Sequence, residues 1–136
     1  MAGAPEGFEP HFRKSGLTDP WEPLYSRRTG EAVILGLLAA EPHANSRGFV
    51  HGGLIAALAD NAMGLSCGVH LRNATGLVTV GMSIDYLASA RLGQWLEFTT
   101  TVLKAGRSLA FAQMLVTADG APVARANATF SVQRAA

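Results

Sequence analysis

The stretch NSRGFVHGGLIAALADNAMG, residues 45–64, predicts the principal helix of the chain and places one acid inside it. Its apolar residues recur at helical spacing and form one stripe: Leu54, Ile55, Leu58, Ala59, Ala62 and Met63. Two glycines precede this stripe, and we expect a helix over about residues 52–70. Asp60 is the one formally charged residue between Arg47 and Arg72. A carboxylate in such apolar company costs several kcal/mol unless it is paired or hydrogen-bonded.

The face of the helix that carries Asp60 is built from small residues. At about 100° per residue, its neighbours on that face are Ala56, Ala57, Gly64 and Cys67. The bulky apolar residues lie mostly off this line, which favours an acid at an interface or on the floor of a cleft. An acid that faces solvent or pairs with a distant arginine gives the same pattern, so periodicity leaves both interpretations open. In a crevice the carboxylate would be available as a base or a nucleophile.

Beyond the helix the apolar period becomes two, as in strands. In residues 76–89 one face carries Val78, Val80, Met82, Ile84 and Tyr86. Further strands are predicted at 94–105, 107–118 and 121–133, with a hairpin turn at Asp119-Gly120. A strand at 31–40 precedes the helix. The sequence therefore predicts an α+β fold, in which one helix packs on an antiparallel sheet whose last four strands form a meander.

The 136 residues suffice for one domain, predicted over residues 31–136. Residues 1–30 are rich in proline, glycine and charge, and we expect an irregular or short helical extension there. Charged residues make up 15% of the chain, against about 25% in a typical domain, which indicates apolar surface buried between subunits. The net charge is +1 without a basic stripe, so nucleic-acid binding has no electrostatic support.

Several site types are disfavoured by composition. The single cysteine, Cys67, excludes an intrachain disulfide and a cysteine-rich zinc site, and it fits a small buried residue better than a nucleophile. His43, His51, Asp60 and His70 do not form a recognised metal spacing, so we expect neither a metal nor a cofactor. Residues 1–16 have no apolar signal core and the run LIAALA is too short for a bilayer, which predicts a cytoplasmic protein without a membrane partner.

The HGG tripeptide, residues 51–53, stands where the helix begins. Gly52 and Gly53 allow a ligand to approach the backbone, and free N–H groups at a helix N-terminus favour an anion or a developing oxyanion. Acyl transfer needs such donors opposite its nucleophile. His51 would orient a group there, or it is an ordinary hydrogen-bonded loop histidine. Asn45 is also typical of an Asx turn.

These residues resemble the signature of hotdog-fold thioesterases of the phenylacetic-acid-pathway (PaaI) type. The shared pattern is Asn, a short glycine-containing loop, His-Gly-Gly, and Asp eight residues after the first of those glycines. The stretch VTVGMSIDYLASARLGQWLEFTTTVLKAGRSLAFAQMLVT also resembles this family, and the similarity covers about residues 30–133. The resemblance implies a long central helix wrapped by a curved antiparallel sheet. It further implies homodimers, commonly assembled into tetramers, with active sites at the dimer interface.

The resemblance also implies roles for individual residues. Asp60 would act as general base or nucleophile on an acyl-CoA thioester, while the N–H of Gly52 of the partner subunit polarises the carbonyl. Asn45 would hold the attacking water or the carboxylate, His51 would support the oxyanion loop, and Thr79 would position water. The expected substrate contacts are Gly53, an acyl slot of Leu58, Met63, Val80 and Met82, and a phosphate contact at Arg107 beside Ser108.

Two other functions remain open from the sequence. A hotdog hydratase or dehydratase would pair His51 with Asp60 and act on the β-carbon of an acyl thioester. A non-catalytic module would bind acyl-CoA without turnover. The HGG pattern followed by an acid in mid-helix suits a thioesterase better than either. The acyl group, and the choice between CoA and acyl-carrier protein, are not determined by the sequence.

Overall fold

One long helix packs on one face of a seven-stranded antiparallel sheet in the computed structural model, which describes residues 4–135. The strands are β1 (Glu9–Pro10), β2 (Tyr25–Arg28), β3 (Val33–Leu38), β4 (Ala74–Tyr86), β5 (Trp95–Ala105), β6 (Leu109–Ala118) and β7 (Ala121–Arg134). The helix, α1, spans Gly52–Val69, and single 3-10 turns occupy Asp19–Trp21 and Glu41–His43. The predicted α+β architecture of a helix covered by an antiparallel sheet is confirmed.

Helix α1 begins and ends close to the predicted positions. His51 is its N-cap, and His70 closes its C-terminus by donating its backbone N–H to the carbonyls of Cys67 and Gly68. The buried side is the predicted apolar stripe extended by two residues: Leu54, Ile55, Leu58, Ala59, Ala62, Met63, Ser66 and Cys67. By length and composition α1 could cross a bilayer, but 44% of it is buried inside the protein, as in a core helix.

The sheet order is β1-β2-β3-β5-β6-β7-β4. The prediction of four strands in one meander is therefore wrong for β4, which pairs with β7 and not with β5. β3 already occupies the free edge of β5, with Leu35 opposite Phe98, so β4 can join the sheet only at its other end. The meander holds for β5, β6 and β7. β4 is thus an edge strand of 13 residues.

The N-terminal extension is more ordered than predicted. Tyr25–Arg28 forms strand β2 against β3, and β1 pairs with β2 in turn. The predicted short helical structure occurs at Asp19–Trp21, where the carbonyl of Trp21 lies 2.9 Å from Nε2 of the buried His43. Four residues without alternation carry little strand signal, which explains the missed β2. Residues 1–3 and 136 of the predicted segments lie outside the described residues.

The core lies between the helix and the sheet. Its largest fully buried side chains include Phe98, Phe130, Leu35, Leu37, Leu58 and Met63. Ser66 is the polar residue of this contact, and its hydroxyl bonds the N–H of Val33 at 3.1 Å and the carbonyl of Val33 at 3.3 Å. Because these bonds tie the helix to β3, they fix the rotation of the helix about its axis. That rotation determines where Asp60 points.

Candidate active site

Asp60 lies at the border between the buried and the open side of α1, and it is half-buried. Thr79 on β4 donates its hydroxyl to Oδ1 of Asp60 at 2.7 Å. No other described residue hydrogen-bonds the carboxylate, so Oδ2 is available to a water or a substrate. The structure thus brings together two residues that the sequence predicts for the site and that lie 19 positions apart in the chain.

A cavity of about 810 Å³ opens beside this carboxylate. The helix contributes Asp60, Gly64 and Gly68 to its wall, and the two glycines leave space because they carry no side chain. The prediction of a small-residue face is therefore right for Gly64. It is wrong for Cys67, which is fully buried in the core. Burial raises the pKa of the Cys67 thiol to about 11, so this thiol stays protonated at neutral pH and is a poor nucleophile.

The HGG loop presents one unused donor. Nδ1 of His51 accepts the N–H of Gly53 at 2.8 Å, which caps the helix and occupies that donor. No described residue accepts the N–H of Gly52, so Gly52 keeps a free N–H at the positive end of the helix dipole. Gly53 is exposed, and its predicted contact with substrate stays a prediction.

Tyr86, at the end of β4, holds the same loop from outside. Its hydroxyl donates to the carbonyl of Gly52 at 2.6 Å, and burial raises the pKa of Tyr86, which keeps the hydroxyl protonated. A Cβ on Gly52 would lie 3.2 Å from Cζ of this ring, so the glycine permits the close approach. The sequence placed Tyr86 on the strand but gave no signal for this contact, because the two residues are 34 positions apart.

Asn45 forms the Asx turn that its residue type suggested. Its Oδ1 accepts the N–H groups of Arg47 at 2.9 Å and Phe49 at 3.1 Å, and Gly48 closes the loop with a φ of +82°. The carboxamide N–H groups have no partner among residues 4–135. No hydrogen bond joins Asn45 or Gly52 to Asp60 within residues 4–135, so the predicted constellation is not assembled by the described chain alone.

The predicted acyl slot needs correction. Leu58 and Met63 are 1% and 0% exposed and belong to the core, and neither lines the cavity. Both belong to the apolar stripe of the helix, which is its buried side. Val80 is 63% exposed and Met82 half-buried on β4, and neither lines the cavity. Apolar side chains that do line it include Leu24, Val33, Leu35, Leu65, Leu77 and Phe130.

Arg107 and Ser108 lie at the turn between β5 and β6, away from the lining of this cavity. The carbonyl of Arg107 accepts Nε of Arg134 at 3.1 Å, and Nη1 of Arg134 donates to the carbonyl of Arg72 at 2.6 Å. Three arginines therefore meet at one end of the sheet. The predicted contact of Arg107 and Ser108 with CoA phosphates stays a prediction.

Other parts of the described chain offer no competing catalytic centre. Across residues 4–135, no three His, Cys, Asp or Glu side chains are grouped as a metal site requires. A second concavity of about 650 Å³ lies on the sheet face opposite the helix. Its lining includes the exposed ion pair of Asp85 and Arg125 but no residue of the Asp60 cavity. The Asp60 cavity is therefore the better candidate for catalysis.

Comparisons with known proteins agree on one family. The model of the thioesterase superfamily matches residues 47–124. A Pseudomonas aeruginosa protein provisionally named an esterase is 37% identical over 131 residues, which is 96% of this chain and 98% of that protein. Human acyl-coenzyme A thioesterase 13 is 40% identical over 85 residues, or 62% of this chain and 60% of the human protein.

Solved structures show the same fold. Zebra fish thioesterase superfamily member 2 gives a TM-score of 0.74 at 31% identity, covering 80% of each chain. A Streptococcus mutans protein, smu.793, bound to acetyl CoA gives 0.70 at 30% identity over 77% of this chain and 85% of that one. A mutant of PaaI from Thermus thermophilus gives 0.76 at 20% identity, covering 89% and 100%, which supports the fold alone. With more than half of its length matched by the family model and a relative similar from end to end, this chain belongs to the thioesterase superfamily.

Proposed function

We propose that this protein hydrolyses an acyl-CoA thioester to a free acid and CoA. The observation that carries the proposal is Asp60, a half-buried carboxylate held by Thr79 at the edge of a cavity with both apolar and polar walls. The name of the human relative and the acetyl CoA bound to the Streptococcus mutans relative support this substrate class. Thioesters are activated, so a carboxylate, a positioned water and a backbone donor suffice for the reaction.

In the proposed reaction Asp60 takes a proton from a water molecule, whose oxygen attacks the thioester carbonyl. The resulting oxyanion is stabilised by the N–H of Gly52 of the partner subunit. The intermediate then breaks its carbon–sulfur bond, and the CoA sulfur leaves and takes up a proton. Direct attack by the carboxylate would give an anhydride that water then hydrolyses, with the same products.

Neighbouring residues have supporting roles in this proposal. Thr79 holds Oδ1 of Asp60 in place and still has lone pairs that can accept a water. His51 caps the helix and fixes the backbone of the donor loop, while Tyr86 fixes the Gly52 carbonyl. The free carboxamide of Asn45 would hold the water or the carboxylate across the subunit interface. We also expect the protein to act in the cytoplasm, which stays a prediction.

We further propose a homodimer formed through β4, and a tetramer built from such dimers. β4 is the last strand of the sheet, and no described strand pairs with its outer edge. It exposes two valines, with Val78 55% and Val80 63% accessible. A long exposed edge strand with apolar side chains tends to aggregate in a monomer unless a partner covers it. Pairing here would bring Asp60 of one subunit close to the loop of the other subunit that carries Asn45 and Gly52.

We expect Val80→Glu to dissociate this dimer. A two-fold interface buries the same patch of both subunits, so the substitution places a charge from each subunit in one apolar contact. Light scattering after size exclusion should show the mass of a monomer, with thioester hydrolysis reduced at least about tenfold because each site needs two subunits. Leu103→Glu on β5, where the leucine is 58% exposed, is the matched control and should keep the wild-type mass. A dimeric, active Val80→Glu protein would refute pairing through β4.

A panel of aryl-CoA and aliphatic acyl-CoA thioesters tests the function directly. Release of free thiol from some members would establish a thioesterase, and the preferred member would define the acyl pocket. Cys67 should not disturb the assay, because its buried thiol stays protonated in the folded protein. Binding without thiol release would favour a dehydratase or a binding module. Neither binding nor release from any member would leave only the fold established.

A further inference from the structure

The cavity beside Asp60 has a second wall that the proposed reaction does not use. It is formed by the N-terminal segment, residues 11–18, together with Arg28 at the end of β2. His11 belongs to this wall and is 4% exposed. Its Nδ1 is buried and has no hydrogen-bond partner among the described residues. An unpaired buried nitrogen on a cavity wall costs free energy in the empty protein and is satisfied when a ligand supplies the partner.

The groups around His11 are mostly cationic. Arg13, Lys14 and Arg28 line the same cavity, and Glu22 offsets one of these charges by pairing with Lys14 at 3.1 Å. Arg28 stacks its guanidinium on the ring of Phe12 at 3.7 Å, which fixes its position. Stacking leaves the N–H edge of a guanidinium free to bind an anion in two-pronged fashion. Two unpaired cations therefore stand beside an unpaired imidazole nitrogen.

The imidazole itself is suited to hydrogen bonding and not to carrying charge. Burial lowers the pKa of His11 from its ordinary value of 6.5, against an opposing effect of Glu22. Lys14, Arg13 and Arg28 lower it further. At neutral pH the ring is therefore uncharged and keeps one N–H donor. The positive charge of this wall comes from the arginines.

We propose that the N-terminal segment adds an anion-binding subsite to the Asp60 cavity, in which His11, Arg13 and Arg28 hold a negatively charged group of the thioester substrate. This inference rests on the proposed thioester hydrolysis. Two parts of such a substrate can supply the anion. One is a carboxylate at the far end of the acyl chain, as in a monothioester of a dicarboxylic acid. The other is a phosphate of the CoA moiety.

The test uses two pairs of ligands that differ in one kind of anion. Glutaryl-CoA and pentanoyl-CoA share five acyl carbons and differ in the terminal carboxylate. Pentanoyl-CoA and pentanoyl-pantetheine share the acyl group and differ in the phosphates and the nucleotide. Dissociation constants are measured in an Asp60→Asn background, which prevents turnover, and kcat/KM is measured with Asp60 in place. The variants are Arg28→Gln, Arg13→Gln and His11→Phe. The control is Arg27→Gln, because Arg27 neighbours Arg28 but does not line the cavity.

In one of the two pairs, each arginine substitution should weaken binding of the more highly charged ligand about tenfold more than binding of the less charged ligand. This factor corresponds to the loss of one charge-assisted hydrogen bond. Loss of the preference for glutaryl-CoA identifies the acyl carboxylate as the anion. Loss of the preference for CoA over pantetheine identifies a phosphate. His11→Phe should reduce the same preference about fivefold without lowering Tm, since it removes an unsatisfied buried nitrogen. A structural role alone would lower Tm and leave the preference unchanged.

Other outcomes separate this inference from the proposed function. Thiol release by the wild type, with preferences that Arg28→Gln, Arg13→Gln and His11→Phe leave unchanged, would overturn the anion subsite only. Tight binding without thiol release from any ligand would overturn the hydrolase and leave the subsite to be decided by the dissociation constants. Failure of all three ligands to bind would overturn both.

Discussion

Asp60→Asn is expected to lower kcat for thioester hydrolysis by about 10²–10⁴-fold, the usual contribution of a general base. Asparagine has the same shape as aspartate and can still accept the hydroxyl of Thr79 through its carbonyl oxygen, so the local geometry is preserved. What it loses is the ability to take a proton or to attack a carbonyl. The measurement is free-thiol release from the best acyl-CoA of the panel, at saturating and at limiting substrate.

The dissociation constant should separate catalysis from binding in this variant. Because Asp60 is half-buried and hydrogen-bonded to Thr79 only, its replacement should leave acyl-CoA affinity within about threefold. Asp85→Asn is the matched control. Asp85 lies on the same edge strand as Thr79 and is exposed, paired with Arg125 at 2.9 Å. Its loss should leave kcat within about twofold. Undiminished thiol release by Asp60→Asn would remove this carboxylate from the mechanism.

The size of the effect also bears on the alternative functions. A binding module would show the same affinity in the wild type and in Asp60→Asn, with no turnover in either. A dehydratase would lose its activity on the β-carbon when His51 is replaced, and would release no thiol at any stage. A thioesterase needs His51 less, since Nδ1 of His51 only caps the helix at Gly53. The loss of activity on replacing Asp60, compared with the loss on replacing His51, therefore distinguishes the two reactions.

Local patterns of the sequence predicted the elements but not their neighbours. Helix α1 was placed within one residue because its apolar spacing, its glycines and its histidine cap all lie within 20 residues of sequence. The position of β4 beside β7 was missed because strand pairing depends on which edges are already occupied. β2 was missed because its pairing with β3, and not its own four residues, makes it a strand.

Some residues of the candidate site could likewise be predicted from the sequence, whereas others appear only in the folded structure. The importance of Asp60 followed from one charge in an apolar helix, and the family resemblance supplied Thr79 as a water-positioning group. The wall formed by residues 11–18 carried no periodic signal, so only the packed chain places His11 and Arg28 at the cavity. The acyl slot is wrong for Leu58 and Met63 because both belong to the apolar stripe of the helix, which packs into the core and not toward the cleft. The Ser66 bonds to β3 fix the rotation of the helix that keeps this stripe in the core.

Phe98→Ala is expected to destabilise the protein by about 3–5 kcal/mol, the range found for large-to-small changes of buried aromatic residues. Phe98 is fully buried on β5, between Leu35 of β3 and Val116 of β6, under the helix. Removing its ring opens a cavity where the strands that carry the helix meet. Domains of this size have about 5–15 kcal/mol of stability, so the change consumes a large part of it. Urea denaturation at one fixed protein concentration measures the loss, since a dimer gains stability with concentration.

Phe12→Ala provides the comparison for this prediction. Phe12 is 43% exposed and contacts the guanidinium of Arg28 and the ring of His11, so its removal should cost no more than about 1 kcal/mol. The two phenylalanines thus separate the roles of the core and of the N-terminal wall. If the wall formed by residues 11–18 serves ligand binding and not folding, Phe12→Ala should change the substrate preference and leave the urea midpoint nearly unchanged. Phe98→Ala should do the opposite: it should lower the urea midpoint and leave the substrate preference of the remaining folded protein intact. Equal losses of stability in both variants would mean that residues 11–18 are part of the hydrophobic core. In that case the orientation of the helix that carries Asp60 would depend on these residues as well as on the sheet.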